Sequence, residues 1–238
     1  MKQLVRLNKR LSEAGICSRR QADKLIEEGR VEVNHETAVM GMKVSPEDII
    51  SINGKTIDEN KEPEIVMAFY KPKGIVCTTS QKEKDNVIDY IGYPTRIYPV
   101  GRLDKNSEGL ILLTNNGELT DQILRSRNNH EKEYIVRVNK PLKKEIVKAM
   151  EEGVPIFDTM TKPCKIKQHD EYEFSVILTQ GLNRQIRRMC EYFEYRVTFL
   201  KRVRIINIQL NNLKKGEYRF IKNEELKKLK KALNIANQ

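Results

Sequence analysis

The chain has 238 residues, 39% of them hydrophobic and 32% charged, which suits one large or two smaller water-soluble domains. No apolar run approaches the roughly 20 residues that a membrane span needs, and the N-terminus lacks the apolar core of a secretory signal. We therefore expect a cytoplasmic protein without a membrane partner. The net charge of +11 indicates a polyanionic partner, most often nucleic acid.

Two helices and a small sheet are predicted for the first 60 residues. Residues 6–15 show a helical pattern, and Ser18 and Gln21 form a capping box that opens a second helix. Alternating strands follow, and a tight-turn signal comes after the last of them. These strands are predicted around residues 30–34, 39–44 and 48–52, with the turn at Asn53-Gly54.

A polar stretch at residues 57–64, which contains Pro63, is typical of a linker. We therefore predict two domains, residues 1–60 and residues 61–238.

The second domain is predicted to mix strands and helices without regular alternation. A parallel doubly wound sheet is therefore disfavoured, and we predict an α+β fold with a mixed, mainly antiparallel sheet. Strands are predicted within residues 65–74, 96–100, 109–114, 132–138, 173–181 and 203–210. Helices are predicted at residues 86–92, 117–126, 142–153, 183–193 and 223–236, the last with Asn223 as its N-cap.

The cysteines do not indicate a metal site or a disulfide framework. All four are widely spaced, none forms a Cys-x-x-Cys pair, and no His clusters with them. The chain also lacks a glycine-rich phosphate loop. We therefore expect reduced cysteines, no metal and no other cofactor.

The densest group of polar residues lies at 101–109, between two apolar predicted strands. Reactive side chains are usually displayed on such loops above a rigid sheet, which makes Asp104 a candidate catalytic group. Asp is also common in ordinary turns, so the pattern alone leaves a plain hairpin connection equally open.

A second group lies where a strand is predicted to pass into a helix carrying Arg184, Arg187 and Arg188 in its first turns. Positive charge at a helix N-terminus opposes the helix dipole, so helix stability does not explain these residues. Residues 184–204 hold seven bases against two acids. A bound anion or carboxylate is one explanation, and a solvated basic face is the alternative.

Four motifs in this order resemble those of the RNA pseudouridine synthases that modify ribosomal RNA. A lone GRLD would be weak, but the four motifs follow a segment, residues 6–34, that resembles the S4-type RNA-binding domain of that family. The resemblance covers nearly the whole chain and implies an S4-type αβ domain followed by a pseudouridine synthase domain. The motifs are KPKG (71–74), YPVGRLDKNSEGLILLTNNG (98–117), KEYIVRV (132–138) and QGLNRQIRRM (180–189).

The resemblance implies that Asp104 is the catalytic carboxylate, that Arg187 pairs with it within about 4 Å, and that Tyr134 stacks on the target base. Ile186 would pack near that base, and Arg102 would contact the RNA beside it. Lys71 and Pro72 match a motif that is mainly structural. The other expected RNA-binding residues are Arg184, Arg188, Arg6, Lys9, Arg10, Arg19 and Arg20.

The implied activity is that of an isomerase that needs no cofactor and acts as a monomer on ribosomal RNA. We expect the RNA to be 23S, with tRNA as a secondary candidate. Two alternatives stay open. A non-catalytic RNA-binding or ribosome-assembly factor would leave Asp104 away from any cleft. An RNA hydrolase usually needs a metal-binding carboxylate cluster or a His pair, which the sequence does not offer.

Overall fold

The computed structural model divides the chain into two compact units, residues 1–64 and residues 65–238. The predicted domain boundary falls among residues 59–62, which lie outside the described part, together with half of the predicted linker. In the part that is described, no helix is long and apolar enough to cross a bilayer. The described residues are 4–58, 63–80, 82–125 and 129–235.

The first unit combines two short helices with two small antiparallel sheets, β1-β4 and β3-β2-β5-β6. The predicted capping box is present, because Ser18 Oγ accepts from the Gln21 N–H at 3.2 Å and Gln21 Oε1 accepts from the Ser18 N–H at 2.9 Å. The predicted strand at 39–44 is shorter than expected. Its elements are β1 (Val5–Arg6), α1 (Leu7–Glu13), α2 (Arg19–Glu27), β2 (Val31–Val33), β3 (Glu36–Thr37), β4 (Lys43–Val44), β5 (Ile50–Ile52) and β6 (Lys55–Thr56).

One large mixed sheet organises the second unit. The elements up to the middle of this unit are β7 (Val66–Lys71), α3 (Val87–Ile91), β8 (Tyr98–Val100), β9 (Glu108–Thr114), α4 (Gly117–Leu124), β10 (Lys132–Val138) and α5 (Lys144–Glu152). The remaining elements are β11 (Pro155–Ile156), β12 (Thr159–Met160), β13 (Lys165–Gln168), β14 (Glu173–Leu178), α6 (Gln185–Tyr192), β15 (Val197–Ile205), β16 (Ile208–Gln209), β17 (Tyr218–Phe220) and α7 (Asn223–Ala232).

The strand order of this sheet, within the described residues, is β13-β14-β10-β15-β9-β7-β17, with β8 on β9 and β16 on β15. The neighbours along this path pair antiparallel except β9 and β15, which run parallel. The predicted mixed, mainly antiparallel sheet is therefore confirmed. Both faces are covered by apolar clusters, so every residue of β7 and β9 is buried.

The parallel pair depends on a glycine. Gly109 has a φ of 112°, a conformation that side chains disfavour, and lies opposite Arg202 in the register. A Cβ added to Gly109 would meet the carbonyl oxygen and the nitrogen of Arg202, both backbone atoms. The first residues of β9 can therefore approach β15 only because position 109 has no side chain.

Two predictions about the C-terminal part were wrong in detail. The segment 203–210 is not one strand, because Ile206 has a positive φ of 53° and the chain turns there from β15 into β16. Asn223 is not the N-cap of α7. It is the first helical residue, with a φ of 50°, and Lys222 occupies the cap without a side-chain hydrogen bond.

Candidate active site

The loop that carries Asp104 connects β8 to β9 and is held by the neighbouring backbone. The Ser107 N–H donates to the Asp104 carbonyl oxygen at 3.0 Å, which closes a tight turn. The Leu103 N–H donates to Cys77 Sγ at 3.3 Å, and the Gly74 N–H donates to the Lys105 carbonyl oxygen at 2.8 Å. These bonds tie both sides of Asp104 to the segment 74–77.

Lys71 stabilises that segment from inside. Its side chain is fully buried, and Nζ donates to the carbonyl oxygens of Pro72 and Ile75, each at 2.8 Å. Burial lowers the pKa of Lys71, while the nearby Cys77 and Asp104 act in the opposite direction. The KPKG turn therefore serves as the support on which the Asp104 loop rests.

Arg187 reaches the Asp104 loop from α6. Its Nε lies 3.7 Å from Asp104 Oδ2, an ion-pair distance longer than a hydrogen bond. Its Nη2 also donates to Ser107 Oγ at 3.1 Å and to the Asn106 carbonyl oxygen at 3.3 Å. Arg187 thus contacts the loop on both the carboxylate and the backbone.

Arg184 lies at the same carboxylate, although the sequence pattern assigned it to RNA. Helix α6 begins at Gln185, so Arg184 is its N-cap, with a left-handed φ of 51°. Its Nη1 lies 3.8 Å from Asp104 Oδ2. Burial lowers the pKa of Arg187, and the charge of Arg184 lowers it further, whereas Asp104 raises it. Two cations therefore share one carboxylate oxygen.

Arg188 points away from this ion pair. Its guanidinium carbon lies 3.9 Å from the ring centroid of Phe157, an exposed residue of the turn between β11 and β12. Its Nε donates to the Asn183 carbonyl oxygen at 3.1 Å. Asn183 lines the cavity described next, whereas Arg188 does not.

Asp104 opens into a cavity of about 460 Å³, within the size range of ligand-binding sites. Tyr134 and Ile186 line this cavity and are largely buried. Among the described residues that line it, Asp104 is the one carboxylate, against six Lys and Arg side chains. These cations are Arg102, Arg125, Lys132, Arg184, Arg187 and Arg202.

The sequence pattern missed three of these cations, Arg125, Lys132 and Arg202. Lys132 lies in the KEYIVRV motif, and the alternation of β10 places it on the same face as Tyr134, so a signal for it existed. Arg202 carried no such signal, because its orientation depends on an irregularity of β15.

The basic residues expected to bind RNA in the first unit differ in their surroundings. Arg6, Arg19 and Arg20 are exposed. Lys9 Nζ lies 3.5 Å from Glu13 Oε1. The Arg10 guanidinium donates to the carbonyl oxygens of Ser45, Pro46 and Asp48, so it holds a loop within the unit.

No group of three or more His, Cys, Asp or Glu side chains that could hold a metal ion occurs among the described residues.

Comparison with known proteins identifies the family of each unit. The RNA pseudouridylate synthase family matches residues 65–192, and the S4 domain matches residues 5–50. A crystal structure of a pseudouridylate synthase superposes with a TM-score of 0.70 at 29% identity, covering 94% of this chain and 99% of that one.

Curated relatives extend the match over almost the whole chain. The dual-specificity RNA pseudouridine synthase RluF of Escherichia coli K12 is 49% identical over 93% of this chain and 77% of its own length. The ribosomal large subunit pseudouridine synthase B of Bacillus subtilis is 35% identical over 94% of this chain and 95% of its own length. The chain therefore belongs to the RNA pseudouridylate synthase family of isomerases and carries an S4 domain in its first unit.

Proposed function

We propose that the chain converts a specific uridine of structured ribosomal RNA into pseudouridine, with Asp104 as the catalytic carboxylate. The observation that carries the proposal is a single carboxylate, paired with two arginines, at the wall of a cavity that also contains Tyr134. Isomerisation breaks the N1–C1′ bond, turns the uracil and forms a C5–C1′ bond. No electrons or atoms are lost overall, since the C5 proton is replaced by one at N1.

Each side chain has a role in this scheme. Arg184 and Arg187 pair with the Asp104 carboxylate and aim it, so that it can act as nucleophile, as base at the sugar or as stabiliser of a cationic sugar. The buried Tyr134 ring offers an apolar face for the uracil as it turns. The target base must first leave its stack, at a cost of a few kcal/mol, which RNA contacts elsewhere offset.

The substrate is proposed to be 23S ribosomal RNA, with tRNA as a secondary substrate, and the enzyme to be a cytoplasmic monomer. The names of the two bacterial relatives support this choice, because one is called dual-specificity and the other is called a large-subunit enzyme. The exposed Arg6, Arg19 and Arg20 would contact phosphates in folded RNA, which is recognised mainly through its backbone and shape.

A non-catalytic RNA-binding factor is the rival function. Such a protein has no use for a carboxylate at the mouth of a cavity, and it would be expected to bury Asp104 elsewhere. The side chain of Asp104 is instead 31% exposed and lines the cavity. A catalytic role therefore explains why Asp104 lies at the cavity, whereas a non-catalytic RNA-binding function does not.

The test is to map pseudouridines in ribosomal RNA and tRNA from cells with and without this protein, and to repeat the reaction with purified protein and transcribed RNA. At least one 23S site should disappear from the cells and form in the purified reaction. An unchanged pseudouridine map, together with no product from purified protein, would refute the proposed activity.

The first unit is proposed to supply affinity and the second the chemistry. A fragment of residues 65–238 should remain folded, because its sheet has apolar clusters on both faces. It should bind substrate RNA about tenfold more weakly, since it loses the phosphate contacts of the first unit. The measurements are a thermal melt and RNA titrations over a range of salt. The double variant Arg19→Ala/Arg20→Ala is the matched control in the full chain, and wild-type affinity in both proteins would contradict this division of labour.

A further inference from the structure

Arg202 is a buried cation that pairs with no carboxylate of the described residues. Only 3% of the residue is exposed, and its Nε donates to the Leu110 carbonyl oxygen at 2.7 Å. Its Nη2 is buried and has no hydrogen-bond partner among the described residues. Since an unsatisfied buried guanidinium nitrogen costs free energy, an acceptor is expected to occupy the neighbouring space when the protein works.

An irregularity in the sheet aims Arg202 into the cavity. Between β10 and β15 the register shifts, so that Glu133 lies opposite Arg204 but Tyr134 lies opposite Arg202. The extra residue, Val203, is a β-bulge, which re-aims the side chains on either side of it. Arg202 and Arg204, two apart in sequence, therefore face opposite sides of the sheet.

Two acids, Glu133 of β10 and Glu131 just before it, pair with Arg204 and not with Arg202. Arg204 Nε lies 2.9 Å from Glu133 Oε2, and its Nη2 lies 3.0 Å from Glu131 Oε2. On the cavity side the strand presents Lys132 and Tyr134 instead. The bulge thus separates a neutralised cation on one face from an unneutralised pair of cations, Lys132 and Arg202, on the other.

The Lys132 ammonium group makes only one weak hydrogen bond to the described residues. Its Nζ lies 3.5 Å from the His130 carbonyl oxygen, at the limit of a hydrogen bond, and no described carboxylate lies within 4.0 Å of it. Burial and then the charge of Arg202 lower the pKa of Lys132 to about 8. Two desolvated positive groups without a counter-ion make this wall of the cavity a site for an electron-rich ligand.

The position of this wall favours a base over a backbone phosphate. Arg202 is nearly inaccessible from the surface, and Tyr134 beside it is 9% exposed, so a ligand must enter the cavity to reach them. The Arg202 guanidinium carbon lies 6.0 Å from the Tyr134 ring centroid. A base stacked on Tyr134 would therefore bring its carbonyl oxygens close to Arg202 and Lys132.

We infer that Lys132 and Arg202 bind the carbonyl oxygens of the target uracil and stabilise the negative charge that the ring carries while it is detached from the sugar. The inference rests on the proposed function. When the N1–C1′ bond breaks, its electron pair stays on the ring and spreads over N1 and the carbonyl oxygens. When C5 attacks C1′, the pair forms the new bond, the C5 proton leaves, and N1 gains a proton. Cations held at the uracil carbonyl oxygens therefore lower the barriers for breaking the N1–C1′ bond and for forming the C5–C1′ bond.

A pH dependence follows for Lys132. The titratable groups nearest to it are His130, which precedes its strand, and Arg202 on β15. The rest of the cavity wall supplies Asp104, Arg102, Arg125, Arg184 and Arg187. Its partner on β14, Leu178, is uncharged. Because the pKa of Lys132 is about 8, the protonated form and its contribution to turnover decline as the pH rises through that value.

The experiment measures kcat and KM of the full chain, with ribosomal RNA substrate, from pH 6 to pH 9.5. Lys132→Met should lower kcat about 10²-fold, the usual effect of removing one charge-stabilising donor, with KM within about threefold of wild type. Lys132→Arg should retain most of the activity and move the alkaline fall of kcat upward by at least about one pH unit, since arginine stays charged. Lys148→Met, an exposed position on α5, is the matched control.

Each outcome is decisive. A Lys132→Met protein with wild-type kcat, or a Lys132→Arg protein with the same alkaline fall as wild type, overturns the inference. If Lys132→Met melts at a much lower temperature than wild type, Lys132→Arg supplies the test, because it keeps the charge. A wild-type protein that forms no pseudouridine would refute the proposed function, whereas normal wild-type turnover with an indifferent Lys132 refutes this inference alone.

Discussion

Asp104→Asn should abolish pseudouridine formation while the affinity for RNA stays within about threefold of wild type. The amide keeps the size and hydrogen-bonding shape of the side chain, but it has no charge and is a poor nucleophile, so every proposed role of Asp104 is lost. Loss of a group that performs the reaction typically lowers turnover by 10³-fold or more, so a loss of about 10³-fold is the minimum expected. Binding should persist because the carboxylate repels phosphate and does not attract it.

The measurement is tritium release from RNA labelled at C5 of uridine, since the C5 proton leaves during isomerisation, combined with a binding titration. Asp85→Asn is a matched control, because Asp85 Oδ2 lies 3.6 Å from Lys105 Nζ of the same loop but lines no part of the cavity. An Asp104→Asn protein that still turns over would remove Asp104 from its proposed role.

Arg187→Ala should lower kcat about 10²-fold with a much smaller change in RNA affinity. The substitution removes the ion pair to Asp104 and the two hydrogen bonds to Asn106 and Ser107, so the loop loses the contacts that aim the carboxylate. A displacement of about 1 Å at a reacting group is enough for a loss of this size. Arg187→Lys should recover little, because an ammonium cannot make the three contacts together.

Arg188→Ala is the contrasting variant. Its guanidinium lies on the exposed Phe157 ring and not at Asp104, so its loss should weaken binding and lower the salt slope by about one unit. Binding titrations at several salt concentrations, beside single-turnover rates, separate the two effects. Equal losses of rate and affinity in Arg187→Ala and Arg188→Ala would show that the proposed distinction is false.

Most of the long elements of the fold were predictable because their apolar runs are long. The exception is β15 (Val197–Ile205), of which only residues 203–205 fall within a predicted strand. The residues of β7 and β9 are buried on both faces, and such runs are conspicuous in a sequence. The strands that escaped prediction are short or half exposed. β13 is the polar run Lys165–Gln168 at the end of the sheet, and β17 has only three residues. Their pairing depends on the neighbouring strand and not on their own pattern.

The site residues that belong to a sequence motif were predictable. Those whose orientation depends on the local backbone conformation were not. Asp104, Tyr134 and Arg187 line one cavity, although their roles remain predictions. Arg184 was assigned to RNA as a basic neighbour of Arg187, but as the left-handed N-cap of α6 it lies 3.8 Å from Asp104 Oδ2. The bulge at Val203, which decides the direction of Arg202, leaves no trace in hydrophobic periodicity.

The close approach of Gly109 to Arg202 restricts how this site can change by mutation. The atoms that a Cβ at position 109 would strike belong to the backbone of β15, and no substitution of a neighbouring side chain can remove them. A screen for second-site suppressors of Gly109→Ala should therefore return true revertants to glycine and no compensating substitution in the residues around it. The distance between the Asp104 loop and Arg202 is therefore fixed by the glycine at position 109. Substitutions in the Asp104 loop or in β15 can be tolerated only while that glycine is kept.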